Sequence, residues 1–174
     1  MAYKVRRTLV ILLTAVVATL TGCRVSVSLT GGTIDSRAKT VYIQTFRNNA
    51  AIVNPTLSQQ FTTALKDRVQ SQTPLTIVDT KALGDYSIEG EISGYTIRPV
   101  AIQGDETAAM NRLTISVNVR FSNKFDETQD FEQTFSRYAD YPSAQNFTAI
   151  EGSLVQSINE ALTEDIFNKA FVNW

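Results

Sequence analysis

The segment NRLTISVNVRFSN at residues 111–123 constrains the fold most, because its apolar and polar residues alternate without a break. The apolar set is Leu113, Ile115, Val117, Val119 and Phe121. The polar set is Thr114, Ser116, Asn118 and Arg120. Successive side chains of a strand point to opposite faces, so this pattern predicts a strand with one buried and one wet face.

Two segments with four-residue apolar spacing predict helices that cover the buried face. The first carries Leu57, Phe61 and Leu65 after Asn54-Pro55, where Asn is a good N-cap and Pro suits the first helical position. The second repeats Ile150, Leu154, Ile158, Leu162 and Ile166. Thr148 and Glu151 fit a capping box at its start.

Four more segments read as strands, at 39–46, 75–79, 85–100 and 130–141. Within 85–100 the apolar positions change from even to odd after Gly94, which predicts a β-bulge or a bend there. We therefore expect an α+β fold, with two helices packed on one face of a four- to five-stranded mostly antiparallel sheet. Its other face is expected to stay polar.

The first 23 residues have the pattern of an export signal. Lys4, Arg6 and Arg7 precede an uncharged apolar run that ends in Leu-Thr-Gly-Cys. This ending resembles the bacterial lipobox, which implies acylation of Cys23, a signal peptide at 1–22 and a single lipid-anchored periplasmic domain at 23–174. Two alternatives stay open: an uncleaved signal anchor with a free thiol, or a buried Cys23. Residues 24–38 are either a tether or a first edge strand.

The residue after Cys23 indicates which membrane a lipoprotein is attached to. Arg24 stands where an aspartate tends to retain a lipoprotein in the inner membrane of diderm bacteria, and no acidic run follows. We therefore expect attachment to the outer membrane, on its periplasmic face.

Composition disfavours most catalytic and nucleic-acid-binding classes. The chain has no histidine and one cysteine, so it lacks the commonest general base and the usual metal ligand. Removing the three basic residues of the signal leaves 13 basic against 17 acidic residues, a formal charge of −4. We expect no enzyme activity, no cofactor, no metal and no nucleic-acid partner.

Several stretches together resemble one family. They are CRVSVSLTGGTI, NPTLSQQFTTALKDRVQSQT, GEISGYTIRPVAIQGDETAAMNRLTISVNVRF, DFEQTFSRYADY and EDIFNKAFVNW. The chain is identified as a member of the LPS-assembly lipoprotein family (LptE-like), of the Bacteroidota type. The resemblance implies an outer-membrane lipoprotein that plugs a large β-barrel lipopolysaccharide translocon, assists its assembly and contacts lipopolysaccharide. Of the family's functional residues, only the acylated cysteine transfers, to Cys23.

Lipopolysaccharide phosphates favour arginine, whose planar fork binds them bidentately. Arg112 and Arg120 are the main candidates for this contact. Further basic candidates are Arg98, Lys124 and Arg137. The alternative is that all are ordinary solvated strand residues.

Three other functions compete with this assignment. The main one is a lipid-anchored periplasmic accessory subunit of another envelope transport complex. The second is a lipid carrier that encloses an acyl chain between its helices and sheet. The third is an enzyme whose catalytic groups are carboxylates.

Overall fold

Six strands and two helices form the framework of the described residues, which are 34–52, 54–100 and 109–172 of a computed structural model. In chain order they are β1 Thr40–Ile43, β2 Arg47–Asn48, α1 Leu57–Gln72, β3 Thr76–Val78, β4 Tyr86–Val100, β5 Met110–Asn123, β6 Phe131–Pro142 and α2 Phe147–Phe167. Short 3₁₀ turns occupy Lys81–Leu83 and Glu127–Gln129, and a π-helical turn, Asn168–Val172, follows α2. Cys23, the segment 24–33 and most of the predicted turn after β4 lie outside the described residues.

The strands form one sheet in the order β3-β1-β4-β5-β6. The α+β class and the two helices are confirmed, but the strand count is six rather than four or five. The extra strand arises because β2 continues along the same edge of β4 as β1: Ile43 lies opposite Ile88, and Arg47 lies opposite Glu91. The six segments thus occupy five positions across the sheet.

The sheet is mixed in direction. The long pairings of β4 with β5 and of β5 with β6 are antiparallel. β1 runs parallel to both β3 and β4, and β2 runs parallel to β4. A parallel β1–β3 pair needs a crossover connection, and α1 lies between these strands in the chain.

The predicted irregularity in β4 is confirmed. Ile92 pairs with Val117 and Gly94 pairs with Ser116, so Ser93 is one extra residue in β4. This bulge returns Tyr95 to the same buried side as Ile92.

Both helices cover one face of the sheet, and apolar side chains fill the space between the helices and that face. The buried residues of α1 include Leu57, Phe61, Leu65 and Val69, and those of α2 include Val155, Ile158, Leu162 and Ile166. They belong to one cluster with the five apolar residues of β5. Each such side chain contributes about 1.5–3 kcal/mol when fully buried.

The start of α1 follows the sequence prediction with a small shift. The helix begins at Leu57, after the Asn54-Pro55 pair. The Asn54 side-chain oxygen still accepts from the backbone N–H groups of Thr56 (3.0 Å) and Leu57 (3.1 Å). Asn54 therefore satisfies N–H groups that have no partner within the helix.

The capping box predicted for α2 is wrong. The helix begins two residues earlier than that box requires, and Asn146 caps it by accepting from the Thr148 N–H at 3.0 Å. Glu151 instead accepts from the Tyr95 hydroxyl (2.6 Å) and the Asn54 side-chain amide (2.7 Å). Burial and the bond to Glu151 raise the pKa of the Tyr95 phenol. A carboxylate with two such donors contributes more here than a return contact to the backbone.

Candidate functional site

The face of β4, β5 and β6 turned away from the helices carries the polar side chains that the alternation predicts. We call it the open face. Strand register orders its residues in rows from β4 through β5 to β6. The rows are Arg98–Arg112–Asp140, Thr96–Thr114–Tyr138, Gly94–Ser116–Ser136, Glu91–Asn118–Thr134 and Glu89–Arg120–Glu132. Charge is concentrated in the outer rows, and hydroxyl groups occupy the middle.

Arg112 is held at one end of the open face by two neighbours from β6. Its Nε and Nη2 donate to the two carboxylate oxygens of Asp140 at 2.7 and 2.8 Å. The guanidinium carbon lies 3.6 Å from the centre of the Tyr138 ring, in a cation–π contact. Hydrogen bonds from Arg112 lower the pKa of the Asp140 carboxyl. Because the two hydrogen bonds to Asp140 and the contact with the Tyr138 ring fix the plane of the guanidinium, the Arg112 side chain is held in one orientation.

Arg120 forms a looser pair at the other end. Its Nε and Nη2 both donate to one oxygen of Glu132, at 3.1 and 2.9 Å. This contact lowers the pKa of the Glu132 carboxyl. Both side chains are more than half exposed, whereas about a third of Arg112 and of Asp140 is exposed. The Arg120 pair is therefore better screened by water.

The structure places Arg112 and Arg120 on one face but does not bring them together. They stand on one strand, and the rise between positions 112 and 120 separates their Cα atoms by about 27 Å. Arg98 lies opposite Arg112 and shares its end. The five basic candidates therefore do not form a single patch.

The remaining two candidates lie elsewhere. Lys124 is in the turn after β5, where its backbone N–H donates to the Asp85 carbonyl. Arg137 donates to both oxygens of Asp165 in α2 at 2.6 Å, so it lies on the helix side of β6.

Sequence reasoning missed the three residues of β6 that organise the two arginines. Glu132, Tyr138 and Asp140 share the even positions of Thr134 and Ser136 in DFEQTFSRYADY, so their face was readable from the two-residue period. Their pairing with Arg112 and Arg120 depends on the β5–β6 register, which the period does not supply.

No helix in 34–52, 54–100 or 109–172 is long and apolar enough to cross a membrane. Within the same ranges, no three His, Cys, Asp or Glu side chains are grouped as metal ligands.

A family model described as "LptE: Lipopolysaccharide-assembly" matches residues 38–170. This chain belongs to the LptE family. The match spans β1 to the turn after α2, and so contains the whole open face. It confirms the family identified from the sequence, and lipopolysaccharide assembly is the role that the family describes. No curated protein matches the chain.

The chain is similar to solved structures of low sequence identity. A minor lipoprotein from Acinetobacter baumannii is 14% identical, with 76% of this chain and 91% of that chain covered and a TM-score of 0.51. Rare lipoprotein B from Shewanella oneidensis is 10% identical, with coverages of 75% and 90% and a TM-score of 0.45. At 14% identity, the similarity to the Acinetobacter baumannii structure supports the fold alone.

Proposed function

We propose that this LptE-family chain is a lipoprotein of the outer membrane, anchored on the periplasmic face through acylated Cys23. There it acts as plug and assembly partner of a large β-barrel lipopolysaccharide translocon and contacts lipopolysaccharide. The family match over residues 38–170 carries the proposal.

The open face supports the plug role on physical grounds. The lumen of a large outer-membrane barrel is polar. A plug therefore needs a surface that tolerates both water and polar wall residues. The middle rows of the open face supply hydroxyl and amide groups, and the Ser116 and Ser136 hydroxyls lie 3.0 Å apart. Arg112 and Arg120 of this face are neutralised by carboxylates on the next strand.

Copurification from outer membranes tests the partner. The tagged chain is extracted in mild detergent, and mass spectrometry identifies the proteins bound to it. We expect a large β-barrel protein in near-stoichiometric amount. The Cys23→Ser variant is the control for anchoring: metabolic labelling with palmitate should mark the wild type and leave the variant unlabelled. Recovery of the wild type without a barrel protein would contradict the partner.

Lipopolysaccharide contact is assigned to the two arginine pairs of the open face. If phosphate binds Arg112 and Arg120, the carboxylates of Asp140 and Glu132 compete with it. Arg112→Gln and Arg120→Gln should each weaken binding of purified lipopolysaccharide about 10-fold, as expected for loss of one charged hydrogen bond. Asp140→Asn and Glu132→Gln should strengthen it, because each frees an arginine. Opposite signs within a pair distinguish ligand contact from a structural ion pair.

The matched control is Arg137→Gln, which breaks a comparable arginine–carboxylate pair on the helix side. Its lipopolysaccharide affinity should equal that of the wild type. Equal effects of Arg112→Gln, Arg120→Gln and Arg137→Gln would rule out a contact on the open face.

A further inference from the structure

β6 is the terminal strand of the sheet and has a long, regular edge. Among the described residues it pairs only with β5. The pairing runs from Phe131 to Pro142 with no shift in register. Natural edge strands are usually short, bulged or charged along their length, because a regular edge is a template for another strand.

The backbone groups on the outer side of β6 can be assigned from the antiparallel pattern. The Ser143 N–H donates to the Ala109 carbonyl, one position beyond the last pair, Met110 with Pro142. Hydrogen-bonded residues alternate in such a ladder, so the odd-numbered residues of β6 bond to β5. The N–H and C=O groups that point outward belong to Glu132, Thr134, Ser136, Tyr138 and Asp140.

A groove of about 420 Å³ runs beside this edge. One wall is the stretch of β6 from Gln133 to Arg137, and the other contains Asp165, Asn168 and Lys169 from α2 and the turn after it. Phe135 is buried at its base. The Arg137–Asp165 ion pair joins the two walls, so these charges are already satisfied.

We propose that an extended segment of a partner protein adds to β6 as a further strand, with alternate side chains entering the groove between β6 and α2. This arrangement is a known mode of recognition, in which main-chain hydrogen bonds give affinity and pockets for alternate side chains give specificity. The site is distinct from any lipopolysaccharide contact of Arg112 and Arg120.

The local charges define the occupant. At the ends of the edge, Glu132 and Asp140 are already paired with arginines of β5. Between them, Thr134, Ser136 and Tyr138 are neutral. The occupant is therefore an uncharged strand of about five residues, with hydroxyl or amide side chains toward the open face and aliphatic ones toward Phe135.

β5 itself has this pattern and supplies a probe. An end-capped peptide copying residues 113–119, LTISVNV, carries no charge and presents Thr, Ser and Asn on one side and Leu, Ile and Val on the other. Labelled with fluorescein, it should bind the full chain in detergent micelles in an anisotropy titration. The control peptide has the same side chains but is N-methylated at alternate residues on its pairing edge, which removes the backbone donors. It should bind at least about 10-fold more weakly.

A proline variant locates the peptide on β6. Ser136→Pro removes an outward N–H that β5 does not use, so the sheet should remain intact, and circular dichroism and Tm check this. Peptide affinity should fall at least about 10-fold. Ser136→Ala removes the hydroxyl group but keeps the N–H, and its peptide affinity should stay within about 2-fold of wild type. Equal affinity of the proline variant and the wild type, or no peptide binding, would overturn the proposal.

Two other occupants give different results. A second copy of the chain would appear as a dimer in light scattering that Ser136→Pro converts to a monomer. Pairing with the chain's own residues 25–29 would slow hydrogen–deuterium exchange at Thr134, Ser136 and Tyr138 in the isolated monomer. The proposal requires a monomer whose exchange at these three N–H groups is fast and becomes slow when the peptide is added. Either alternative result would overturn it.

Discussion

Gly90 is the position where a single methyl group should do most damage to the sheet. It lies in β4 opposite Val119, beside the break between β1 and β2. A Cβ atom added to it would lie 2.0 Å from the Asn118 carbonyl oxygen and 2.8 Å from Cε1 of Phe46. Its φ of +158° is also one that L side chains rarely adopt.

The loss of stability in Gly90→Ala depends on whether the atoms that the new methyl group meets can move away. The nearest contact is backbone in the centre of the sheet, so relief requires β4 and β5 to separate locally. Overpacking costs about 1–3 kcal/mol and strained backbone a similar amount, so we expect a loss of roughly 2–5 kcal/mol. Domains of this size are stable by about 5–15 kcal/mol, and the loss is a large fraction of that.

Urea unfolding, followed by circular dichroism, measures this loss. With a slope of about 2 kcal/mol per M, the midpoint should fall by about 1–2.5 M. Gly152→Ala is the matched control, because the residue lies inside α2 and a Cβ there meets no heavy atom within 4 Å apart from its chain neighbours and the backbone of its own helix. It should stabilise the protein by about 0.5–1 kcal/mol. A Gly90→Ala midpoint equal to that of wild type would refute the steric argument.

Two further substitutions test polar groups. Asn159 is buried in α2, and its Oδ1 has no hydrogen-bond partner in the described part of the chain, so Asn159→Leu should raise Tm; a lower Tm would show that the amide is satisfied in solution. Asp85 accepts from the backbone N–H groups of Lys39 (2.8 Å) and Thr40 (3.1 Å), and the Lys39 bond is the main cause of its lowered pKa. A carboxylate whose pKa is lowered in the fold stabilises it above about pH 4, and this stabilisation is lost on acidification. Between about pH 6 and pH 3, the Tm of Asp85→Asn should therefore fall less than that of wild type. Equal losses would contradict this role.

Apolar periodicity predicted the helices and strands that are long and bury one face. β5, β4 with its bulge, and both helices were readable because apolar residues recur every two or four positions over ten or more residues. β2 was not, since a strand of two residues has no period. Its place beside β4 is fixed by contacts distant in sequence, such as the Asn49 N–H donating to the Ile92 carbonyl.

The same limit applies to the open face. Alternation assigned Arg112 and Arg120 to one face, and the strand rise alone implies their wide separation. Their carboxylate partners required the β5–β6 register. The turn between these strands contributes to that register, because the Asp130 carboxylate accepts from the Asn123 N–H at 2.7 Å. This contact joins residues that the sequence shows only as a polar turn.

The distribution of charge on the open face favours contact with a polypeptide at its centre. Protein interfaces place few charges in their core and leave a polar rim in contact with water. The middle rows from Thr96 to Thr134 are dominated by hydroxyl and amide groups, whereas both arginine–carboxylate pairs lie in the outer rows. A partner strand added at Ser136 extends this neutral centre. Covering the centre desolvates neither Arg112–Asp140 nor Arg120–Glu132, and desolvation is the costly step in burying an ion pair. The outer rows then remain hydrated, where Arg112 and Arg120 stay accessible to phosphate. The two proposed contacts therefore occupy different parts of one face and do not compete.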